Sequence, residues 1–145
     1  MFRHILLPTD GSDLSEGAIK EGVRLAKIIG AKVTGLCVMP FPHTFFSEME
    51  IPTQALDQAI KRSKEVAETY LAAIEKEAKE KEVACVTVYE MNDFPYEAII
   101  RLAGRKGCDL IMMASHGRRG VRGLLVGSET QKVLTHSKIP VLVYR

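Results

Sequence analysis

Short continuous apolar runs alternate along this chain with longer segments whose apolar residues recur every three or four positions. The first run, Ile5-Leu-Leu-Pro8, predicts a strand buried on both faces, stopped by Pro8 and the turn residues Thr9-Asp10-Gly11-Ser12. Ser12 or Asp13 offers an N-cap, and Glu16 stands three residues after Asp13. Leu14, Ala18, Gly22, Leu25, Ala26 and Ile29 then mark one face of a helix that Gly30 ends. Lys32 to Met39, carrying Val33, Leu36 and Val38, predicts a second strand.

From Pro40 to Pro52 the rhythm breaks, with prolines at 40, 42 and 52 and phenylalanines at 41, 45 and 46. No regular element fits. Loops of this length are functional or disordered, and the phenylalanines predict packing on a partner subunit or on the mouth of a site. Leu56, Ala59, Ile60, Ser63, Ala67, Tyr70, Leu71, Ile74 and Ala78 next predict the buried stripe of a long helix. Its lysines and glutamates read as a solvated face with i,i+4 pairs, not as a nucleic-acid patch. Val83 to Tyr89 predicts a third strand, Asn92-Asp93 a cap, and Tyr96, Ile99, Ile100 and Ala103 a third helix before Gly107. Asp109 to Met113 predicts a fourth strand, Ser128 starts a helix with Val133 and Leu134 facing inward, and Pro140 to Arg145 ends the chain as a fifth strand. Alternating strands and helices with crossovers of this size imply an α/β fold, a parallel sheet with helices on both faces, in one domain spanning residues 1–145.

Such sheets bind ligands beyond the carboxyl ends of their strands, where the strand order reverses. The loops after the first and fourth strands are the polar and glycine-rich ones. The second of these, Ala114 to Gly127, carries Gly117, Gly120 and Gly123 with Arg118, Arg119 and Arg122, and leads into Ser128-x-x-Gln131, a capping-box signature. Strand, glycine loop and helix start together suit phosphate, because glycines let backbone N–H groups approach an anion and a helix N-terminus points unpaired donors at it. A mobile basic loop without ligand is the alternative reading of the same residues.

Composition narrows the classes further. The apolar and charged fractions are those of an ordinary soluble globular protein, and a net charge of +2 gives no general argument for nucleic acid or membrane surfaces. No apolar run approaches the roughly 18 residues that span a bilayer, and the first residues enter a strand and do not read as a signal peptide. Cys37, Cys85 and Cys108 lie in or beside apolar runs, without a Cys-x-x-Cys pair or a histidine at ligand spacing. Buried reduced thiols in a cytoplasmic protein are the expectation.

These residues resemble the universal stress protein family along the whole chain. The likeness shows in Ile5-Leu-Leu-Pro-Thr-Asp10, in Asp109-Leu-Ile-Met-Met-Ala-Ser-His-Gly117, in Gly127-Ser128 and in Pro140-Val-Leu-Val143. The family's nucleotide-binding branch carries Gly-x-x-Gly, nine residues, then Gly followed by Ser or Thr. Gly117 and Gly127-Ser128 match that spacing, while Ala114 replaces the first glycine. The resemblance implies a Rossmann-like, doubly wound five-stranded parallel sheet of order 3-2-1-4-5. It also implies a homodimer pairing the last strands, for which Val141-Leu-Val143 offers an edge.

It implies a ligand as well: ATP, with Mg2+ bound through the phosphates. Asp10 would hold the ribose hydroxyls, Pro8 and Thr9 would line the adenine side, and Val38 would meet the base through its backbone. Ala114, Ser115, His116 and Arg118 belong to the same nucleotide-binding segment, Gly117, Gly127, Ser128 and Glu129 would bring backbone N–H groups to the phosphates, and Arg118, Arg119 and Arg122 could add charge-assisted contacts to a polyphosphate. Each also has a plain structural reading: Asp10 as a turn residue, Val38 as core, Ser128 as a cap, His116 as an orienting residue, the arginines as solvated charges. If Ala114 sits on left-handed backbone, its Cβ costs roughly 1–2 kcal/mol, about tenfold in affinity. On ordinary backbone, its methyl matters only where phosphate or ribose passes close.

Three functions compete on these residues. The first is an ATP-binding stress-response sensor or regulator that signals through an unidentified protein partner. The second is an interaction protein of the same fold that binds no nucleotide, which Ala114 favours. The third is an enzyme. Asp10-Gly-Ser-Asp-Leu-Ser15 is faintly similar to the Ser-Gly-Gly-x-Asp-Ser loop of ATP pyrophosphatases, but it lacks the glycine pair and the leading serine, and no Walker-type Gly-Lys-Ser/Thr is present. No catalytic residue is expected, and any ATP hydrolysis should be slow.

Overall fold

The computed structural model describes residues 1–42, 51–118 and 126–145. Its elements run β1 (His4–Thr9), α1 (Asp13–Ile29), β2 (Lys32–Met39), α2 (Thr53–Glu80), β3 (Cys85–Met91), α3 (Pro95–Lys106), β4 (Leu110–Ala114), α4 (Ser128–His136) and β5 (Val141–Tyr144). The five strands form one sheet in the order β3-β2-β1-β4-β5, every adjacent pair parallel. This is the implied 3-2-1-4-5 order.

Alternation along β1 sends Ile5 and Leu7 to one face and Leu6 to the other. The first face packs on α1 and α2 through Ile19, Val23, Ala26, Leu71 and Ile74. The second packs on α3 and α4 through Ile99, Leu102 and Val133. Burial on both sides explains why the central strands read as continuous apolar runs.

Several sequence expectations shift. Pro8 does not stop β1, which continues through Thr9. The missing N–H is tolerated because β1 pairs with β4 only at Ile5–Leu110 and Leu6–Ile111, so Pro8 lies beyond that ladder. β3 begins two residues later than expected and β4 one residue later. Ser12, not Asp13, caps α1, its hydroxyl accepting from Ser15 N at 3.2 Å.

The Asn92-Asp93 cap fails. α3 starts from Phe94 with no side-chain cap, while Asn92 Oδ1 accepts from Phe94 N and Asp93 Oδ1 from Phe41 N. The Ser128–Gln131 capping box also fails. Ser128 is the first helical residue, Gly127 holds the cap position, and Gln131 Nε2 reaches the Val126 carbonyl instead. Leu134 is 45% exposed, so Val133 alone of that pair faces the core.

The stripe of α2 is buried only from Ala67 onward, and Ile60 is exposed. Gly30 ends α1 with left-handed backbone, as expected, and Gly107 does the same for α3. Cys37 and Cys108 are buried and Cys85 half-buried, all as free thiols. Burial pushes the Cys37 and Cys108 thiols up to about 11, each with a nearby aspartate charge adding to the effect. Most of the proline-phenylalanine segment, residues 43–50, lies outside the described residues, as do Arg119, Gly120, Arg122 and Gly123.

Candidate functional site

The crevice lies where β1 and β4 stop pairing. Both strands run three residues past their last shared pair, Leu6–Ile111, and their following loops face each other across the gap. On the β1 side, the Thr9 hydroxyl accepts from Gly11 N at 3.1 Å and lies 3.2 Å from the Ser15 hydroxyl. These bonds commit the buried Thr9 side chain to shaping the turn. Pro8 is half-buried beside it.

Asp10 is the hinge of the arrangement. Its Oδ1 accepts from Ser12 N at 3.0 Å and its Oδ2 from Arg118 N at 2.8 Å, so one carboxylate bridges the loops after β1 and β4. Partial burial opposes its ionisation, but hydrogen bonds from Ser12, Arg118 and Ser15 outweigh that and hold its pKa below the ordinary carboxylate value. A carboxylate offers about four acceptor positions, which leaves capacity for further donors. Gly117 makes the bridge possible, since a Cβ there would fall on the Asp10 carboxylate.

On the β4 side, Ala114 ends the strand with its carbonyl accepting from Thr130 Oγ1 at 2.9 Å. Among the described residues, Glu82 is the one non-glycine with positive φ, so Ala114 has ordinary backbone and the left-handed cost does not arise. Its methyl is buried. Ser115 is fixed three ways: its N–H donates to Tyr144 O at 2.7 Å, its carbonyl accepts from Gly127 N at 2.6 Å, and its hydroxyl lies 2.8 Å from His116 Nδ1.

The bond from Gly127 to Ser115 corrects one expectation. The Gly127 N–H is engaged within the protein, so it is not a donor for phosphate. A Cβ at Gly127 would meet the Ser115 carbonyl at 3.1 Å and His116 Cα at 3.4 Å, so this glycine serves close approach. The donors left at the helix start are the first-turn N–H groups of α4, from Ser128 and Glu129, which have no intrahelical acceptor. The Glu129 side chain turns to α3, where Oε2 accepts from Tyr96 N at 3.1 Å and Oε1 from Lys132 Nζ at 2.9 Å. There it supplies the negative charge that a helix N-terminus favours.

The structure therefore gathers Pro8, Thr9, Asp10, Gly117 and Arg118 around one crevice, with Ser115, Gly127 and the start of α4 on its β4 side. Val38 stands one strand further out near the end of β2, packed against the α3–α4 core. Sequence reasoning missed Tyr70, which it placed only in the α2 stripe. The Tyr70 ring occupies the position of a Gly11 side chain, and the Arg118 guanidinium lies 4.8 Å from its centroid. An aromatic at helical spacing among core residues carries no signal of that second contact.

A doubly wound parallel sheet with a carboxylate and a helix start over its strand-order reversal defines a Rossmann-like α/β fold. The chain belongs to the universal stress protein family, whose model matches residues 1–145. It is 31% identical to the universal stress protein YxiE of Bacillus subtilis, over all of both chains. The structure of protein MJ0577 from Methanocaldococcus jannaschii superposes with a TM-score of 0.85 at 28% identity, covering 99% of this chain and 96% of that one. A universal stress protein solved in complex with cAMP shares the fold at a TM-score of 0.70 and 20% identity, over 99% and 97% of the two chains.

Proposed function

We propose that this protein binds ATP or a related adenine nucleotide and acts as a stress-response sensor or regulator in the cytoplasm. The observation that carries this reading is the Asp10 carboxylate, held ionised at the β1–β4 parting and tied directly to the first residues of the glycine loop. Asp10 would accept the ribose hydroxyls on its remaining acceptor positions, and the first-turn amides of α4 would meet the phosphates. Pro8 and Val38 would flank the base, Val38 through its backbone. Ala114 has ordinary backbone, so its Cβ carries no left-handed cost, which is compatible with this reading. The cAMP complex of a relative is consistent with an adenine nucleotide as ligand.

Mg2+ would be bound mainly through the triphosphate, since hard cations favour phosphate oxygens with retained waters. Hydrolysis would be slow, below about 1 s⁻¹, the lower end of ordinary enzymes. The protein would pair with a second copy through β5 and pass its signal to a protein partner. No described helix is long and apolar enough to cross a membrane. Mass spectrometry of nucleotide released from the purified protein, followed by calorimetric titration with ATP, tests the reading. Adenine nucleotide is expected in both. Absence of binding in both would leave the interaction protein without nucleotide as the function.

A further inference from the structure

Tyr70 takes no part in the nucleotide reading above, yet it joins three separate stretches of chain. It stands on the half of α2 that packs on the sheet, among the residues lining the α1–α2 core. Its ring lies against Gly11, where positive φ (+74°) and the ring itself both exclude a side chain. Over the ring stands the Arg118 guanidinium, 4.8 Å from the centroid. The backbone N–H of the same arginine donates to Asp10, the residue preceding Gly11. The contacts close a circuit: Asp10-Gly11 against Tyr70, Tyr70 against Arg118, Arg118 back to Asp10. It forms beyond the last β1–β4 pair, where no strand ladder holds the two loops together.

We propose that Tyr70 is a positioning residue of the nucleotide site, clamping the Arg118 side chain so that Gly117-Arg118 stays seated on Asp10. The proposal rests on the nucleotide reading and deepens it. It assigns the Arg118 guanidinium to the clamp rather than to phosphate. The benefit is preorganisation, since the start of the glycine loop is ordered before a ligand arrives and that ordering is not charged against binding. Ring packing and cation–π attraction need the aromatic face and not the hydroxyl. A clamp acting on the loop's first residues serves mono- and triphosphates alike, whereas a guanidinium on phosphate would favour the triphosphate.

Calorimetric titration of wild type, Tyr70→Phe, Tyr70→Leu, Arg118→Gln and the Tyr70→Leu/Arg118→Gln double variant with ATP and with AMP tests this. Tyr70→Leu should weaken both nucleotides by the same factor, about three- to fivefold for an exposed cation–π pair. Tyr70→Phe should bind as wild type, and the double variant should be no weaker than the worse single one. Hydrogen exchange of the Arg118 amide, read without nucleotide, should quicken in Tyr70→Leu and not in Tyr70→Phe. Unchanged affinity in Tyr70→Leu, even with a lowered melting temperature, would overturn the clamp. So would unchanged Arg118 protection, or an Arg118→Gln loss confined to ATP. A wild type that binds neither nucleotide overturns the nucleotide reading itself, and the exchange measurement still decides whether the clamp exists.

Discussion

Two aspartates tie β1 to β4 at opposite ends of the same strand pair, and one of them lies at the carboxyl ends of the strands, in the candidate site. At the amino end, Asp109 accepts from Arg3 N at 2.9–3.0 Å and from His4 N at 2.9 Å, while its own N–H donates to His4 O at 3.0 Å. At the carboxyl end, Asp10 accepts from Ser12 N and Arg118 N. Both carboxylates have lowered pKa values because hydrogen bonds overcome the opposition of burial: from the Ser12 side chain, the Ser12 and Arg118 amides and the Ser15 side chain at Asp10, and chiefly from backbone amides at Asp109. The difference is what lies between the strands. Asp109 closes onto consecutive amides where β1 and β4 are about to pair, so it completes a ladder. Asp10 reaches across a gap that the ladder has left, with a glycine opposite to give it room. Equal chemistry becomes a structural lock in one place and a candidate recognition group in the other, and strand divergence decides which.

The comparison breaks most sharply at Gly117. Gly117→Val would force a side chain onto the Asp10 carboxylate, and titration should show a loss of more than about 100-fold in ATP affinity, about 2.7 kcal/mol. The helical circular dichroism should stay unchanged, since the residue lies outside every helix. Gly127→Val should do less, because its φ of −69° suits any residue and the neighbouring carbonyl must yield only a few tenths of an ångström.

Exchanging the charge at each aspartate separates the two roles. Asp10→Asn should weaken ATP about tenfold or more, the scale of one hydrogen bond to a charged group, and should lower the melting temperature as well, because the fold favours the ionised carboxylate. Asp109→Asn should leave affinity within about twofold and lower stability by about 1 kcal/mol. The opposite pairing of effects would show that the amino end, not the carboxyl end, carries the ligand.

A smaller effect belongs to the amino end alone. His4 is buried beside Asp109 with Nε2 2.7 Å from the Thr34 hydroxyl, and burial together with the Lys32 charge holds its pKa below the ordinary 6.5. Below that pH the unfolded chain takes up a proton that the folded one resists, so stability is complete above 6.5 and falls as pH drops through it. Denaturant unfolding of His4→Gln should show a flatter pH dependence in this window than wild type. Asp10 has the same sign but acts below its ordinary 3.8, so the two contributions separate on the pH axis. An unchanged profile in the variant would remove His4 from the account.

The architecture was legible because its determinants are periodic. Ile5-Leu-Leu, Leu36 and Ile111 are apolar on both faces only in a covered parallel sheet, and Gly30 and Gly107 stop helices for a local steric reason. Gly117 and Gly127 were singled out through motif spacing and Asp10 through the family resemblance, and the structure brings Asp10 and Gly117 together. What escaped was decided by contacts distant in sequence. Ser128 and Gln131 have the chemistry of a capping box, but Gly127 is drawn to Ser115 and takes the cap position from them. Asn92 and Asp93 could cap α3, but Phe94 and Phe41 amides claim their oxygens. Glu129 was read for its backbone amide alone, and its carboxylate also serves the start of α3. Tyr70 satisfied the helical stripe so well that nothing set it apart. Local preference names what a residue can do, and tertiary competition selects among those options.

The bonds of Gly127 to Ser115 and of Arg118 to Asp10 have a consequence for the segment between them. They secure the chain immediately before and after the segment 119–125, using partners that lie outside it. Thr130, bonded to the Ala114 carbonyl, reinforces the second anchor. Both anchors use only backbone and side-chain groups outside residues 119–125, so substitutions within that segment should leave the tie between the β1 and β4 loops intact.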